Sequence, residues 1–239
     1  MNEKTAYIIA AGDGSRLAME GCLYKKPMLP LNGVPMIERL LDILASENFT
    51  EFNIITNEAN SDIVEYLSFL SYMKSYNINT IKITTPSSMH SLYELIKNNN
   101  NYPFYLFTVD TVFTAKEFRN YVEYCENNAS KFDAIIAITG YIDDEKPLYV
   151  RTEKDRIIEF VDMADDCDKV TSGIYYFNTN IYNLIEQEIN KGTQRMRNFQ
   201  RSLITAGLNV GHYTFEKTLD VDHVSDIIKA EEFLKQEVL

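Results

Sequence analysis

Cysteine is scarce in this sequence of 239 residues, and its placement argues against two classes of small, cross-linked domain. The three cysteines, Cys22, Cys125 and Cys167, are odd in number and far apart, and none belongs to a Cys-x-x-Cys pair. A disulfide framework needs an even set at close spacing, and a structural zinc site needs paired ligands. We therefore expect neither, and we interpret the cysteines as reduced thiols.

The sequence also has few positively charged residues and no long apolar runs. The chain has 23 lysines and arginines against 35 aspartates and glutamates, a net charge of −12. Such an acidic chain is poorly suited to a nucleic-acid backbone or an anionic membrane surface, so we expect neither as a partner. No segment approaches the length of a membrane span, and Met1–Thr5 lacks the pattern of a signal peptide. These features predict a cytoplasmic protein and leave its oligomeric state open.

What the sequence does contain is a glycine-rich loop behind an apolar run. Tyr7–Leu17 reads YIIAAGDGSRL, and Lys25–Met36 continues as KKPMLPLNGVPM. The apolar run predicts a buried parallel strand, and the glycines let backbone N–H groups lie against an anion. A dinucleotide loop would place glycine at Leu17, and a Walker loop would follow Gly14 with Gly-Lys-Ser/Thr. Because neither is present, we predict a polyphosphate loop of another type, with the next helix beginning only near Pro35.

This loop resembles the N-terminal signature of the nucleotidyltransferase family, which includes sugar-phosphate nucleotidyltransferases (NDP-sugar pyrophosphorylases) and phosphocholine cytidylyltransferase-like members. Ala11–Leu17, Lys26–Leu31 and Gly33–Ile37 carry the resemblance. It implies that a phosphate oxygen of an acceptor attacks the α-phosphorus of a nucleoside triphosphate and expels pyrophosphate. It also implies two catalytic residues, Arg16 on the triphosphate and Lys26 at the reacting phosphates. The nucleotide is expected to contact Ala11, Gly12, Gly14, Ser15, Arg16, Ser88 and Asp110.

The segment around Ser88 points to a subgroup of the family. Thr84–Leu95 contains Met-His-Ser-Leu-Tyr, a form more similar to members that activate phosphorylated alcohols such as phosphocholine with CTP. In the family the corresponding segment lines the base, and a glycine usually stands where Ser88 is found. The residues alone also allow a simpler interpretation, a helix capped by serine.

Apolar β runs alternate with helical patterns along the chain, as is typical of a mostly parallel sheet with helices on both faces. We predict an α/β fold, and the resemblance implies the three-layer, Rossmann-like sheet of nucleotide-diphospho-sugar transferases. Leu148–Arg151 and Arg156–Val161 predict an antiparallel hairpin on the acceptor side. We treat 1–239 as a single domain, with a nucleotide-binding half at 1–115 and an acceptor-binding half at 116–239.

Asp110 follows the apolar strand Phe104–Val109, where a carboxylate costs desolvation unless it is paired or binds a metal. In the family an aspartate at this place holds Mg²⁺, so the resemblance implies Mg²⁺ as cofactor and Asp110 as a ligand. A turn or capping role is the alternative. Asp220 and Asp222 are candidates for the second metal carboxylate, because residues two apart in an extended segment face the same way. The late family motif matches Asp220 in one form and Asp222 in another, and both stay open.

The acceptor half departs from the usual sugar-phosphate pattern. Ser172–Asn178 reads SGIYYFN and is similar to the family segment beside the acceptor, which implies Glu159, Ser172 and Gly173 as substrate-binding residues. Sugar-phosphate members usually have Glu-Lys-Pro before this segment, with the lysine on the sugar phosphate. Here Glu159 is followed by Phe-Val-Asp. The candidates to replace that lysine are Lys169, Arg195 and Arg197, and a solvated helix face is the alternative for the arginines.

Three hypotheses of function follow. The first is a Mg²⁺-dependent condensation of a nucleoside triphosphate with a sugar 1-phosphate, which gives an NDP-sugar and pyrophosphate. The second keeps the chemistry but uses CTP and a phosphorylated alcohol such as phosphocholine. The third is a catalytically silent relative that senses nucleotides or scaffolds a partner. The joint presence of Arg16, Lys26, Asp110 and the late aspartates speaks against the third, because a binding module needs no metal pair. The base and the acceptor stay open.

Overall fold

One sheet of nine strands forms the centre of the fold, as seen in a computed structural model that describes residues 3–98 and 102–235. In chain order the strands are β1 (Lys4–Ala10), β2 (Pro30–Leu31), β3 (Val34–Pro35), β4 (Phe49–Thr56), β5 (Asn77–Lys82), β6 (Phe104–Thr108), β7 (Thr111–Val112), β8 (Ala134–Thr139), β9 (Tyr149–Glu153), β10 (Arg156–Val161), β11 (Val170–Phe177), β12 (Val210–Phe215) and β13 (Leu219–Asp220). The α-helices are α1 (Ser15–Met19), α2 (Met36–Ser46), α3 (Ser61–Lys74), α4 (Ser88–Ile96), α5 (Ala115–Asn128), α6 (Tyr182–Asn190), α7 (Met196–Thr205) and α8 (Val224–Lys235).

The strand order across the sheet is β5-β4-β1-β6-β11-β8-β12-β10-β9. The first four run parallel, β11 is antiparallel to both of its neighbours, and β12 is parallel to β8. β9 and β10 form the antiparallel hairpin, with Glu153 opposite Arg156. The α/β class, the mostly parallel sheet and the hairpin are confirmed. Because β11 is antiparallel, its beginning lies at the edge where β1 and β6 end, which carries Ser172 and Gly173 to that edge.

Helices cover both faces of the sheet and complete the three layers. On one face, Ile37 of α2, Leu67 of α3 and Phe118 of α5 belong to a single buried apolar cluster. On the other face, Leu92 of α4 and Phe199 of α7 belong to a second buried cluster. Burial of these faces provides the main stabilisation of such a fold. Within the part of the chain that the structure describes, none of the helices has the length and apolar character needed to cross a membrane.

A smaller apolar cluster joins the segments around the glycine-rich loop to those around Asp110 and the late aspartates. It packs Leu17 of α1, Leu31 of β2, Val112 of β7, Leu219 of β13 and Leu234 of α8. β7 also pairs with β13 and β2 with β3 in two small sheets. The early loop and the late aspartates are therefore held at one end of the main sheet.

The expectation that the next helix begins only near Pro35 is wrong. α1 begins at Ser15, directly after Gly14, and a 3₁₀ turn spans Lys26–Met28. The helix was missed because it has five residues and buries Leu17 as its one core side chain, which is too short for a helical period to show. Gly14 has φ of +59°, a conformation that glycine adopts readily, so the chain turns sharply from the loop into α1.

The main sheet crosses the proposed boundary between 1–115 and 116–239. β6 lies on one side of this boundary in sequence and β11 on the other, and the two strands are adjacent in the sheet. The division of a single domain into a nucleotide-binding and an acceptor-binding half stays a prediction.

Candidate active site

An open cleft of about 1220 Å³ lies over the glycine-rich loop, and we call it the loop cleft. Its wall is formed by the loop after β1, the beginning of α4 and the end of β6. All the residues expected to contact a nucleotide line it: Ala11, Gly12, Gly14, Ser15, Arg16, Ser88 and Asp110. The strands thus bring these residues together at their carboxyl ends, the usual ligand position in α/β sheets.

Lys26 lies in the wall of the loop cleft and is 8% exposed. Its Nζ is 2.6 Å from Asp110 Oδ2 and 2.6 Å from Asp222 Oδ1. Arg16 Nη1 is 2.8 Å from the other oxygen of Asp222, Oδ2. Burial by itself lowers the pKa of Lys26, but the two carboxylates outweigh it, so the pKa is raised and the ammonium stays charged. The structure therefore brings both predicted catalytic residues to one carboxylate.

Asp110 and Asp220 are held beside each other by a pair of short strands. Asp110 directly precedes β7, and Asp220 of β13 pairs with Thr111 of β7. The Thr111 hydroxyl donates a hydrogen bond of 2.8 Å to Asp220 Oδ1. Burial raises the pKa of Asp110, but the nearby Lys26 outweighs this and lowers it overall. Asp220 is exposed toward the acidic pocket, and the protein packed around it together with the charge of Asp110 raises the pKa of its carboxyl above the usual value.

These carboxylates fit a divalent cation. Asp110 and Asp220 repel each other, and Asp220 has no lysine or arginine at salt-bridge distance within residues 3–98 and 102–235. Asp222 is already paired with Lys26 and Arg16. The same residues contain no group of three or more His, Cys, Asp or Glu side chains that could hold a metal alone. This suits Mg²⁺, which commonly takes one or two carboxylates and completes its shell with phosphates and water.

A second pocket adjoins the loop cleft and shares Arg16 and Asp222 with it. We call it the acidic pocket, because six carboxylates line it: Asp143, Asp144, Glu145, Asp220, Asp222 and Asp226. Ser172 also lines it, and the Ser172 hydroxyl is buried without a hydrogen-bond partner among the described residues. A buried hydroxyl with no partner is costly, so a ligand group that bonds to it would be favoured here.

Tyr141 contributes the phenol ring of the acidic pocket, and an internal cation already covers it. Lys217 Nζ lies 4.2 Å from the centre of the Tyr141 ring. The buried Tyr175 and Tyr176 lie on β11 and do not belong to the pocket wall. The described walls therefore offer carboxylate and hydroxyl groups to a ligand, and no cage of open aromatic faces.

Two predicted substrate-binding residues lie elsewhere. Glu159 is exposed on β10, where its carboxylate is 3.1 Å from Arg151 Nε, and it lines neither pocket. It is displaced because the hairpin carries it toward the far edge of the sheet. Gly173 packs inside the sheet against Thr108 and Thr111 and also lines neither pocket. Ser172 is therefore the member of this predicted trio that the structure brings to the acidic pocket.

The candidates to replace the missing lysine have other partners or positions. Lys169 Nζ lies 3.5 Å from Asp168. Arg197 bonds Asp162 at 3.0 Å and the backbone oxygen of Lys146 at 2.6 Å. None of Lys169, Arg195 and Arg197 lines the loop cleft or the acidic pocket.

The wall of the acidic pocket formed by 139–147, and the position of His223 in that pocket, were not anticipated from the sequence. The run Asp143-Asp144-Glu145 lies in the loop after β8, and acidic residues in a loop after a buried strand were the available signal. His223 lines the same pocket.

The close approach of β11 to β6 leaves no space for a side chain at position 173, so this position requires glycine. A Cβ at this position would lie 1.8 Å from Thr108 Oγ1 and 2.4 Å from Thr111 Oγ1. We expect Gly173→Ala to lower the free energy of unfolding by about 1–3 kcal/mol, as overpacking of a core does, and urea denaturation measures it. Gly140→Ala is the control, since its Cβ would lie 3.7 Å from Asp168 O, an ordinary contact. Equal losses in the two variants would contradict this explanation.

The comparisons with known proteins identify the family of the chain. Residues 5–237 match the family model described as Nucleotidyl transferase, so the chain belongs to that family. It is accordingly a nucleotidyltransferase, and it has the fold of the sugar-phosphate nucleotidyltransferases, as the loop residues predicted. No curated protein sequence matches it.

Solved structures of the same fold cover nearly the whole chain. A putative glucose-1-phosphate thymidylyltransferase from Bacillus anthracis has a TM-score of 0.82 at 19% identity, over 96% of this chain and 94% of that one. The inositol-1-phosphate CTP transferase from T. maritima has a TM-score of 0.80 at 15% identity, over 98% and 97%. A UDP-glucose pyrophosphorylase in complex with UDP-glucose has a TM-score of 0.79 at 16% identity, over 99% and 100%.

Proposed function

We propose that the protein joins a nucleoside triphosphate to a sugar 1-phosphate, with an NDP-sugar and pyrophosphate as products. The observation that carries the proposal is the pair of adjoining pockets, which share Arg16 and Asp222, with buried Lys26 in the wall of the loop cleft and bonded to the shared Asp222. Two anionic substrates would meet there. One phosphate oxygen of the acceptor forms a bond to the α-phosphorus, and the bond from that phosphorus to the β-phosphate bridging oxygen breaks.

Each charged residue has a role in this proposal. Arg16 and the loop N–H groups, including that of Gly14, bind the β- and γ-phosphates that leave. Lys26 lies between Asp110 and Asp222 and stabilises the charge that develops on the α-phosphate. Asp110 with Asp220 or Asp222 would hold Mg²⁺, which when bound neutralises and orients the phosphates. No general base is needed, because the attacking phosphate is already ionised.

The walls of the acidic pocket favour a sugar over a quaternary ammonium alcohol. Carboxylates such as Asp144 and Glu145 accept hydrogen bonds from hydroxyls, of which a sugar has several. A quaternary ammonium is usually held by several aromatic faces, and Lys217 already covers Tyr141. The acidity of the same walls keeps a phosphorylated amino alcohol with a primary ammonium as the second candidate. We further propose that the enzyme acts in the cytoplasm and has no nucleic-acid or membrane partner.

A pyrophosphate-release screen tests the proposed function. The four ribonucleoside triphosphates and dTTP are each combined with a panel of sugar 1-phosphates, inositol 1-phosphate, phosphocholine and phosphoethanolamine, with Mg²⁺ present. We expect release with at least one sugar 1-phosphate. Release confined to phosphoethanolamine or phosphocholine would show that the acceptor is a phosphorylated alcohol and not a sugar 1-phosphate. A wholly negative screen would contradict the proposed function.

A further inference from the structure

Two carboxylates in the wall of the acidic pocket have no lysine or arginine at salt-bridge distance within residues 3–98 and 102–235. Asp144 accepts a hydrogen bond of 3.0 Å from the backbone N–H of Lys146. Glu145 Oε1 lies 3.6 Å from His223 Nε2, which is too far for a hydrogen bond. Asp144 and Glu145 therefore leave negative charge in the pocket wall that the protein itself does not balance.

The other carboxylates of the acidic pocket already have a partner or another role. Three of them form ion pairs, Asp143 and Asp226 with Lys229 and Asp222 with Lys26 and Arg16. The fourth, Asp220, is a candidate metal ligand. The charge that is left for a second substrate is therefore concentrated at Asp144 and Glu145.

A second, independent feature of the same pocket points to a polar ligand. Ser172 lines the pocket and is 3% exposed, and its hydroxyl has no hydrogen-bond partner among the described residues. A buried hydroxyl without a partner is costly, so a ligand that bonds to it is favoured. A serine oxygen accepts hydrogen bonds from N–H and O–H donors alike. The pocket is therefore suited to a ligand that carries several such donors.

The two ends of the acidic pocket differ in charge. Arg16 lines both pockets, whereas Asp144 and Glu145 line the acidic pocket and not the loop cleft. An acceptor whose phosphate lies beside Arg16 would point the rest of the molecule into the acidic pocket. A neutral sugar 1-phosphate would bring no positive charge to these two carboxylates, whereas an acceptor with a phosphate and a cationic group would be complementary to both ends.

We propose that the phosphorylated acceptor carries a primary ammonium group, and that Asp144 and Glu145 bind this group. The inference rests on the proposed function, since it presupposes that a phosphorylated acceptor enters the acidic pocket. A primary ammonium has three N–H donors for carboxylate and hydroxyl oxygens, whereas a quaternary ammonium has none. An amino sugar 1-phosphate is the form of this acceptor that agrees with the proposed function, and phosphoethanolamine carries the same ammonium on an alcohol.

The first test compares sugar 1-phosphates that differ in charge at one position. Glucosamine 1-phosphate, N-acetylglucosamine 1-phosphate and glucose 1-phosphate are each assayed by pyrophosphate release with Mg²⁺ and each nucleoside triphosphate. We expect kcat/KM for glucosamine 1-phosphate to exceed that for glucose 1-phosphate roughly 10-fold, the effect of one hydrogen bond between charged groups. N-acetylation removes the charge and should abolish this preference. An equal or higher kcat/KM with glucose 1-phosphate would overturn the inference and leave the proposed function in place.

Substitution of the two carboxylates tests whether they cause the preference. The double substitution Asp144→Asn and Glu145→Gln keeps the size of both exposed side chains and should bring the two kcat/KM values close together. The matched control is Asp165→Asn with Asp166→Asn, an exposed acidic pair that lines neither pocket and should leave the preference intact. A preference that survives in the first double variant, or that is lost equally in the second, would overturn the assignment.

Phosphoethanolamine and phosphocholine separate the two sources of an ammonium group. Turnover of phosphoethanolamine without turnover of any sugar 1-phosphate would support the ammonium site and contradict the sugar in the proposed function. Turnover of phosphocholine in preference to both phosphoethanolamine and glucosamine 1-phosphate would overturn the inference, because its quaternary ammonium has no N–H to donate.

The last test does not depend on turnover. Isothermal titration calorimetry, with Mg²⁺ and a non-hydrolysable triphosphate analogue present, should show glucosamine 1-phosphate binding roughly 10-fold more tightly than glucose 1-phosphate. Equal affinities, or no binding of either glucosamine 1-phosphate or phosphoethanolamine, would overturn the inference. Tighter binding of glucosamine 1-phosphate by an enzyme that releases no pyrophosphate would count against the proposed function alone.

Discussion

Replacing Lys26 with methionine is expected to lower kcat by more than ~10²-fold, the scale of one electrostatic group acting on a transition state. Methionine keeps much of the length of the side chain and removes the charge that lies 2.6 Å from Asp110 and 2.6 Å from Asp222. Without that cation, two carboxylates face the developing charge on the α-phosphate. Pyrophosphate release at saturating concentrations of both substrates measures the effect, and Lys26→Ala should give a similar result.

The adjacent lysine provides the control for this prediction. Lys25 is exposed and pairs with Asp62 at the surface, so Lys25→Met should change kcat by less than about twofold. Removing one partner from a buried ion pair also lowers stability, so thermal unfolding of Lys26→Met must be recorded and kcat measured well below the transition. A folded Lys26→Met enzyme that retains more than about a tenth of the wild-type kcat would contradict the electrostatic role.

The part of the site nearest the glycine loop could be predicted from the sequence because its residues lie close together along the chain. Ala11–Leu17 and Lys26–Leu31 combine backbone freedom with fixed charge, and this combination has few other uses. Asp110 was recognisable because a carboxylate directly after a buried strand needs a partner. The antiparallel direction of β11 then accounts for Ser172, whose strand begins at the edge where β1 and β6 end.

The rest of the site depends on long-range packing and could not be predicted. Glu159 has the residue type expected of a substrate ligand, but the hairpin register turns it toward Arg151. α1 was missed because one buried leucine cannot show a helical period. The contact between His223 and Glu20 joins residues 203 positions apart in sequence. Only the folded chain brings these two side chains together.

The roles of Asp110, Asp220 and Asp222 can be separated by charge. Asp222 is bonded to Lys26 and Arg16, so its first effect is to orient two cations. Asp220 accepts one hydrogen bond from Thr111, and the protein packed around it together with the charge of Asp110 raises its pKa. A divalent cation at this position would remove the repulsion and favour the ionised form of Asp220. We therefore expect Asp220 to contribute more to metal binding than Asp222.

Removal of divalent metal is expected to abolish pyrophosphate release, and Mg²⁺ in excess over EDTA should restore it.

Asp110→Asn should lower kcat by more than ~10²-fold, because it removes a metal carboxylate and one partner of Lys26 together. Asp220→Asn should raise the Mg²⁺ concentration needed for half-maximal activity, whereas Asp222→Asn should chiefly raise KM for the triphosphate through Arg16. Asp168→Asn is the control, since that side chain is 90% exposed and lines neither pocket. Activity that is indifferent to EDTA would remove the metal from the mechanism, and a Mg²⁺ requirement raised by Asp222→Asn but not by Asp220→Asn would reverse the assignment of the two late carboxylates.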